Sequence, residues 1–414
     1  MQSVVRNPAA VAWKARLPTA NMIRNRDRVA SVIPVALLLG VCAALAPTHA
    51  RAAYIKKNLV SDLPGFAAVT DLNLVNPWGL ASSATSPIWV ADNHTGVSTL
   101  YNGAGQPFPP GNPLVVTVPP PPGASPPAAP TGLVFNPAVA DFGGAHFIFS
   151  TEDGTVAAWA SGTTAILKVN NSASGAVYKG LALDNNGTAN LLYATNFNSG
   201  KIDVFDTSFA PATLPGSFTD PKLPAGYAPF GIKNIGGELY VTYALQNAAK
   251  HDDVAGTGHG FVDVFDANGN LLHRFASMGA LDSPWGLALA PGNFGQFSHD
   301  LLIGNFGDGT INAFDPTNGN LLGQIDDTNG KPIVIEGLWG LLFGNGGNGG
   351  PTDELFFSAG IPGPGGTVED HGLFGDLTVV PEPSTMTLFA SGLTLLALNR
   401  RRHSWQRWLG KSEQ

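Results

Sequence analysis

The stretch Pro284-Trp285-Gly286-Leu287-Ala288 decides the fold, because close copies of it recur along the chain. The copies are Pro77-Trp78-Gly79-Leu80-Ala81, Pro130-Thr131-Gly132-Leu133-Val134, Tyr178-Lys179-Gly180-Leu181-Ala182, Pro229-Phe230-Gly231-Ile232-Lys233 and Leu338-Trp339-Gly340-Leu341-Leu342. Their six glycines are separated by 48 to 55 residues. A repeat of about fifty residues is typical of a propeller blade.

Strand patterns follow each copy of the phrase. After the fifth copy, the run Leu301-Leu302-Ile303-Gly304 is continuously apolar, and Thr310-Ile311-Asn312-Ala313-Phe314 alternates with period two. Such runs indicate buried and half-buried strands, and Asn318-Gly319 is typical of a hairpin turn. The sequence therefore predicts an all-β protein over residues 54–380, a six-bladed β-propeller of four-stranded antiparallel blades.

The sixth repeat has no outer strand of its own, and residues 54–60 form a spare one. We expect this mature N-terminal strand to close the ring as the outer strand of the last blade, which leaves no free edge. The Pro-rich segment 107–130 and the Gly-rich segment 344–350 lie inside the repeat. Both are therefore predicted to be surface loops, with an outer strand at residues 114–118.

The N-terminal region, residues 1–53, has the organisation of a secretory signal peptide. Basic residues precede an apolar run at 29–46, and small residues follow at Thr48-His49-Ala50 and Ala50-Arg51-Ala52. A retained anchor helix is the alternative, and Met22 is a second candidate start. Because Cys42 is the single cysteine, removal of the signal peptide leaves no disulfide, thiolate nucleophile or cysteine zinc site.

The charge of the body limits its partners. Residues 54–380 carry 10 Lys+Arg against 27 Asp+Glu, a net charge of −17, whereas the whole chain has −8. Nucleic acid requires a positive surface, so we exclude it as a partner. Divalent cations and neutral glycans fit this charge, as does the plain alternative that the charge serves solubility.

The C-terminal segment, residues 381–414, combines three features. Pro381, Glu382 and Pro383 come first, an apolar stretch at 386–398 follows, and then Arg400, Arg401 and Arg402. This pattern resembles a PEP-CTERM sorting signal. The resemblance implies recognition by an exosortase, transient anchoring in the inner membrane by a transmembrane segment, and delivery to the periplasm, outer envelope or extracellular matrix of a Gram-negative bacterium. The tail 403–414 departs from such signals, which usually stop at the arginines.

The residue before each repeat glycine should lie at one mouth of the central channel. Five of these residues, Trp78, Lys179, Phe230, Trp285 and Trp339, are candidate ligand-binding residues, because aromatic faces stack on sugar rings or bind cations. The alternative interpretation is that the aromatic residues pack between the blades.

Acids and amides follow the second strands at the same mouth. Asp92, Glu152, Asn196, Asn305 and Asp308 are candidate metal ligands, with calcium as a candidate ion, whereas solvated turns are the default interpretation of such residues. The segment 243–260 is unique to one repeat and carries Lys250, His251, Asp252, Asp253 and His259. His251, Asp252, Asp253 and His259 could ligate a metal, and a mobile solvated loop is the alternative.

The body resembles an uncharacterised group of propellers that carry PEP-CTERM signals. Its repeated phrase is also loosely similar to NHL-type and gluconolactonase-like six-bladed propellers. Gluconolactonase-like enzymes have a metal-binding Asn before such a glycine, and none of the six positions here is Asn. Two functions are therefore expected: a binding protein for glycan or exopolysaccharide components, or alternatively a metal-dependent hydrolase or lyase.

Overall fold

The structure, a computed structural model, describes residues 53–380 of the 414-residue chain. These residues form six antiparallel sheets arranged as a propeller, which confirms the predicted fold. Most of the predicted signal peptide and the C-terminal segment 381–414 lie outside the described residues. Within residues 53–380, no helix is long and apolar enough to cross a membrane.

The strands follow the repeats closely. The chain begins with β1 (Ala53–Ser61) and β2 (Val69–Thr70). Blades one to three contain β3 (Pro77–Ala81), β4 (Ile88–Asp92), β5 (Val97–Tyr101) and β6 (Val116–Thr117), then β7 (Pro130–Phe135), β8 (Phe147–Thr151), β9 (Thr155–Trp159) and β10 (Ile166–Asn170), then β11 (Tyr178–Asn185), β12 (Asn190–Asn196) and β13 (Lys201–Phe205).

The second half of the ring repeats this order. Blades four to six contain β14 (Tyr227–Ile235), β15 (Glu238–Leu245), β16 (Gly260–Phe265) and β17 (Leu271–Ser277), then β18 (Pro284–Leu289), β19 (Leu301–Asn305), β20 (Ile311–Phe314) and β21 (Leu321–Gln324), then β22 (Leu338–Phe343), β23 (Leu355–Ile361) and β24 (His371–Val380). Three short 3-10 helices lie between strands, at Phe142–Gly144, Ser172–Ser174 and Gly295–Phe297.

Blade three departs from the four-strand pattern. Its sheet has three strands, and the segment after β13 adds only an isolated bridge between Phe205 and Pro211. Proline cannot donate a ladder hydrogen bond, so a segment with Pro211 and Pro215 forms a poor outer strand. The outer strand predicted at 114–118 shrinks to β6 for the same reason, because prolines flank it at 113 and 119.

Strand β1 lies antiparallel beside β24 along most of its length. The sheet of the last blade therefore combines strands from both ends of the described chain, in the order β22, β23, β24, β1, and β2 adds a short parallel edge. Tyr54 on β1 is 1% exposed, and its hydroxyl donates a hydrogen bond to the carbonyl oxygen of Phe294 at 3.1 Å. Whether the ring depends on this strand for stability stays a prediction.

The core lies between neighbouring blades, where apolar faces of adjacent sheets meet. Between blades one and two, for example, Trp89 stacks on Phe147 with ring centroids 4.1 Å apart, and Leu133 packs in the same cluster. The inner strands β3, β7, β11, β14, β18 and β22 follow one another around the channel and carry the repeat glycines.

Candidate functional site

The repeat phrase lines the central channel. In all six blades the pairing register shifts within the phrase, a bulge that bends the inner strand. The residue before the glycine lies at the end where the inner strands begin, and we call this end the Lys179 mouth. The fifth residue of the phrase lies toward the opposite end, which we call the Lys233 mouth.

The aromatic residues at the Lys179 mouth fill the channel. Trp78 and Trp339 stack with ring centroids 3.4 Å apart, Phe230 lies 5.7 Å from Trp339, and Trp285 makes edge contacts with both tryptophans. Trp78, Phe230 and Trp339 are at most 1% exposed, whereas Trp285 is half-buried. This arrangement corresponds to the packing interpretation, and a direct role of these aromatic residues in ligand binding stays a prediction.

Lys179 lies directly on these aromatic rings. Its ammonium is 5.0 Å from the ring centroid of Trp78 and 5.9 Å from that of Phe197, a cation–π arrangement. The side chain is 2% exposed, and its charge is paired with the carboxylate of Glu152. A buried ammonium is tolerated because this carboxylate and the ring faces replace its water.

A line of hydrogen bonds extends from this ion pair across the mouth. Asn93 Nδ2 donates to Glu152 Oε2 at 3.0 Å, Asn76 Nδ2 lies 3.4 Å from Asn93 Oδ1, and Asn76 Nδ2 also donates to Glu369 Oε1 at 3.0 Å. We call Lys179, Glu152, Asn93, Asn76 and Glu369 the polar chain. It joins blades three, two, one and six, so only the assembled ring positions it.

The two carboxyl groups of the polar chain have opposite environments. Burial alone would raise the pKa of Glu152, but the Lys179 ammonium and the Asn93 amide outweigh burial and lower this pKa. At Glu369, burial raises the pKa to about 7, against the opposing hydrogen bond from Asn76. At neutral pH Glu152 is therefore ionised, while Glu369 takes up and releases a proton. Paired carboxyls with separated pKa values are typical of functional sites.

Backbone strain is concentrated at the same place. Asn76 has a φ of 47° and Glu369 a φ of 79°, both in the left-handed region that non-glycine residues rarely adopt. Strained residues of this kind persist where the surroundings fix them, and they cluster at functional sites. Sequence reasoning missed both residues. Asn76 directly precedes the first repeat phrase, and this position could have indicated that it lies at the mouth. No feature of the sequence indicates the same for Glu369.

The loop between β15 and β16 forms one rim of the mouth, as the unique segment 243–260 suggests. His251 Nδ1 lies 2.7 Å from Asp252 Oδ1, and Asp252 Oδ1 lies 3.7 Å from Lys179 Nζ. The hydrogen bond between His251 and Asp252 raises the pKa of the imidazole and lowers that of the carboxyl group. Within residues 53–380, the one cluster of three His, Asp or Glu ligand atoms lying within 4.8 Å of one another is Glu152, His251 and Asp252.

Of the five residues predicted as calcium ligands at the ends of the second strands, Glu152 alone belongs to that cluster. Asp92 accepts hydrogen bonds from the backbone and hydroxyl of Thr99. Asn196 and Asn305 form hydrogen bonds within or next to their own turns. Asp308 accepts hydrogen bonds from Thr310 and Asn305. These contacts are those of turn-stabilising residues, and the proposal of a calcium site built from all five stays a prediction.

Two comparisons with other sequences bear on identity. An uncharacterised protein of Acanthamoeba polyphaga mimivirus, named R648, is 33% identical over 301 residues, which cover 68% of this chain and 72% of that protein. A second, named L690, is 32% identical over 319 residues, covering 71% of this chain and 80% of that protein. The chain belongs to their family.

The C-terminal end matches a separate family, the PEP-CTERM protein-sorting motif, over residues 379–402. This match confirms the predicted motif, and such a motif implies export and sorting by an exosortase. The motif begins within β24, two residues before the end of the described chain.

Solved structures with a similar fold have low sequence identity to this chain. The PQQ-bound aldose sugar dehydrogenase of Streptomyces coelicolor is 14% identical with a TM-score of 0.44, covering 80% of this chain and 99% of that one. An inactive virginiamycin B lyase of Staphylococcus aureus, with quinupristin, is 14% identical with a TM-score of 0.43, covering 80% and 100%. At these values the likenesses carry no functional argument.

Proposed function

We propose that this exported propeller is a binding protein of the cell envelope or extracellular matrix of a Gram-negative bacterium. Its ligand is a neutral, hydroxyl-rich molecule, such as a glycan component of exopolysaccharide, that binds at the Lys179 mouth. The observation that carries the proposal is the polar chain, which fixes amide donors and carboxylate acceptors from four blades beside one another.

The charge and depth of the mouth support this choice of ligand. Asp252 and His251 at the rim are exposed to solvent, and the aromatic residues close the channel beneath the polar chain. A ligand would therefore bind on top of the polar chain and would not enter the central channel. Because the body has a net charge of −17, a neutral glycan meets no long-range repulsion, whereas a polyanion does.

The test is calorimetric titration of the exported protein with the exopolysaccharide of its host. His94 has an exposed side chain whose Nε2 lies 3.4 Å from Asn76 Nδ2, and Asp252 is exposed at the rim. We expect His94→Ala and Asp252→Asn each to weaken binding several-fold without lowering the melting temperature. Asp353→Asn is the matched control, because Asp353 precedes β23 at its end remote from Glu369. Equal binding by all three variants would exclude the Lys179 mouth as the site.

A metal-dependent hydrolase or lyase is the second candidate. It is supported by the cluster of Glu152, His251 and Asp252, whose residue types suit a divalent cation. The ammonium of Lys179 opposes it, because this ammonium already neutralises Glu152 and lies 3.7 Å from Asp252. Titration with Ca²⁺ and Zn²⁺ separates the candidates: stoichiometric binding that is lost in Asp252→Asn favours the enzyme, and its absence together with glycan binding favours the binding protein.

A further inference from the structure

The central channel opens at the Lys233 mouth into a cavity of 450 Å³. Its wall is mostly aliphatic and comes from the inner strands; the apolar residues that matter are Leu80, Leu133, Leu181, Leu183, Phe135 and Leu342. A narrower space of 40 Å³ runs from there along the channel to Trp285. The cavity falls within the range of about 300–1000 Å³ that is usual for small-molecule sites.

Lys233 lines both spaces and, among residues 53–380, is the single cation of the cavity wall. Among the described residues, no side chain or carbonyl forms an ion pair or hydrogen bond with its ammonium. Lys233 is partly exposed, and its ammonium is not among the buried polar atoms, so the ammonium faces the open space of the cavity. In a body with ten basic and 27 acidic residues, an unpaired ammonium facing leucines therefore points to a missing anionic partner.

The repeat itself does not require a lysine here. The corresponding fifth residues of the other five phrases are all apolar: Ala81, Val134, Ala182, Ala288 and Leu342. The propeller fold therefore does not explain the lysine in this position, and we look for its role in binding. Burial lowers the pKa of Lys233, as expected for an ammonium without a counterion.

We propose that the cavity at the Lys233 mouth binds a small amphipathic carboxylate. The carboxylate contacts Lys233 Nζ, and the hydrocarbon part lies against the leucines of the inner strands. This site is separate from the polar chain at the Lys179 mouth, so the two proposals stand or fall independently.

The other polar residues of the cavity restrict the ligand to this class. Asn136 Nδ2 already donates to the carbonyl oxygen of Ala145 at 2.8 Å, and Asn234 Nδ2 donates to that of Leu183 at 2.9 Å. These two amides are engaged with backbone carbonyl groups. Asp184 also lines the cavity; its Oδ2 is buried without a hydrogen-bond partner among the described residues, and burial raises its pKa. A ligand with more than one negative charge is therefore disfavoured. A single carboxylate on an apolar stem fits one cation.

The test is calorimetric titration of the purified full-length protein with octanoate and, for comparison, 1-octanol. We expect saturable binding of octanoate with one site and much weaker binding of octanol. Lys233→Met should weaken octanoate binding about 10- to 100-fold, as for the loss of a hydrogen bond to a charged group. Lys201→Met, at an exposed lysine on β13, is the matched control and should bind octanoate unchanged.

Three outcomes overturn the proposal: no saturable octanoate binding below about 1 mM, equal binding of octanoate and octanol, or unchanged octanoate binding by Lys233→Met. The Met variant removes an unpaired cation from an apolar wall, so its melting temperature should equal or exceed that of the parent. Lys233→Gln is the second variant, because it keeps a polar group without the charge and should lose octanoate to the same extent.

Discussion

A Cβ atom placed on Gly340 would lie 2.5 Å from the carbonyl oxygen of Trp78, so the sixth blade meets the first at backbone contact. Ser358 supports this junction, since its hydroxyl bonds both to Trp78 O and to the Gly340 amide. The same relation holds around the ring: Gly79 faces Thr131 O, Gly231 faces Trp285 O, and Gly286 faces Trp339 O. The repeat glycines therefore set the distance between blades.

Substitution of one repeat glycine should disrupt the ring. In Gly231→Ala the new methyl group would lie 2.3 Å from Trp285 O, and neither backbone can yield without moving a blade. We expect a loss of about 3 kcal/mol or more in the free energy of unfolding, measured by urea denaturation. Gly162→Ala is the control: its φ of 80° is strained, but there is open space around it, so it should cost only about 1–2 kcal/mol.

Removal of either partner of the Lys179–Glu152 pair should destabilise the protein. Lys179→Met leaves a buried carboxylate and Glu152→Gln leaves a buried ammonium, and each should cost about 3–5 kcal/mol. The double variant leaves neither charge, so it should lose clearly less than the sum of the single losses. A double-mutant cycle in urea measures this coupling, and additive losses would show that the pair is not buried as described.

Stability should fall with rising pH because of Glu369. Its pKa is about 7 in the folded protein against an ordinary value of 4.5, so the folded state binds a proton that the unfolded chain releases. The free energy of unfolding therefore declines from about pH 4.5 to pH 7. Glu369→Gln should match the parent near pH 5 and exceed it by about 2 kcal/mol near pH 8.

The control for this titration is Glu336→Gln, at an exposed glutamate, which should keep the pH dependence of the parent. If Glu369→Gln showed the same decline between pH 5 and pH 8 as the parent, the raised pKa would belong to another group. Urea unfolding at a series of pH values provides the measurement.

Deletion of residues 54–60 should abolish cooperative folding. The deletion exposes the outer edge of β24 and removes the buried Tyr54, and an unpaired edge also invites association with other chains. Circular dichroism during thermal unfolding should show no sharp transition. Tyr54→Phe is the control, since it loses only the hydrogen bond to Phe294 and about 1 kcal/mol. An unchanged melting temperature after the deletion would show that β1 is dispensable.

Much of the fold follows from the sequence because the repeat is periodic. The glycine phrase places all six inner strands, which are buried along most of their length, and the apolar and alternating runs that follow it predict the next strands of each blade. The outer strands of blades one and three are harder to predict, because Pro113, Pro119, Pro211 and Pro215 weaken pairing in a way that the apolar pattern does not show.

The candidate site is less predictable than the fold. The Lys179 mouth could be located from the residue before each glycine, and Glu152 and the loop with His251 and Asp252 were among the expected residues. Glu369 could not be found, because a long loop brings it to Asn76 from the far end of the body. Lys233 is the one charged residue at its repeat position, but the sequence does not show that its ammonium has no ion-pair or hydrogen-bond partner within residues 53–380.

The pairing of β1 with β24 also bears on when the protein folds during export. Ala53 pairs with Val380 and Tyr54 with Val379, which are the first two residues of the sorting motif. A chain that crosses a membrane from its N-terminal end cannot form these pairs until nearly all of it has crossed, and contacts between such distant residues form late. If the chain is exported in this direction, as the motif and the predicted signal peptide imply, completion of the last blade and arrival of the sorting motif at the membrane coincide.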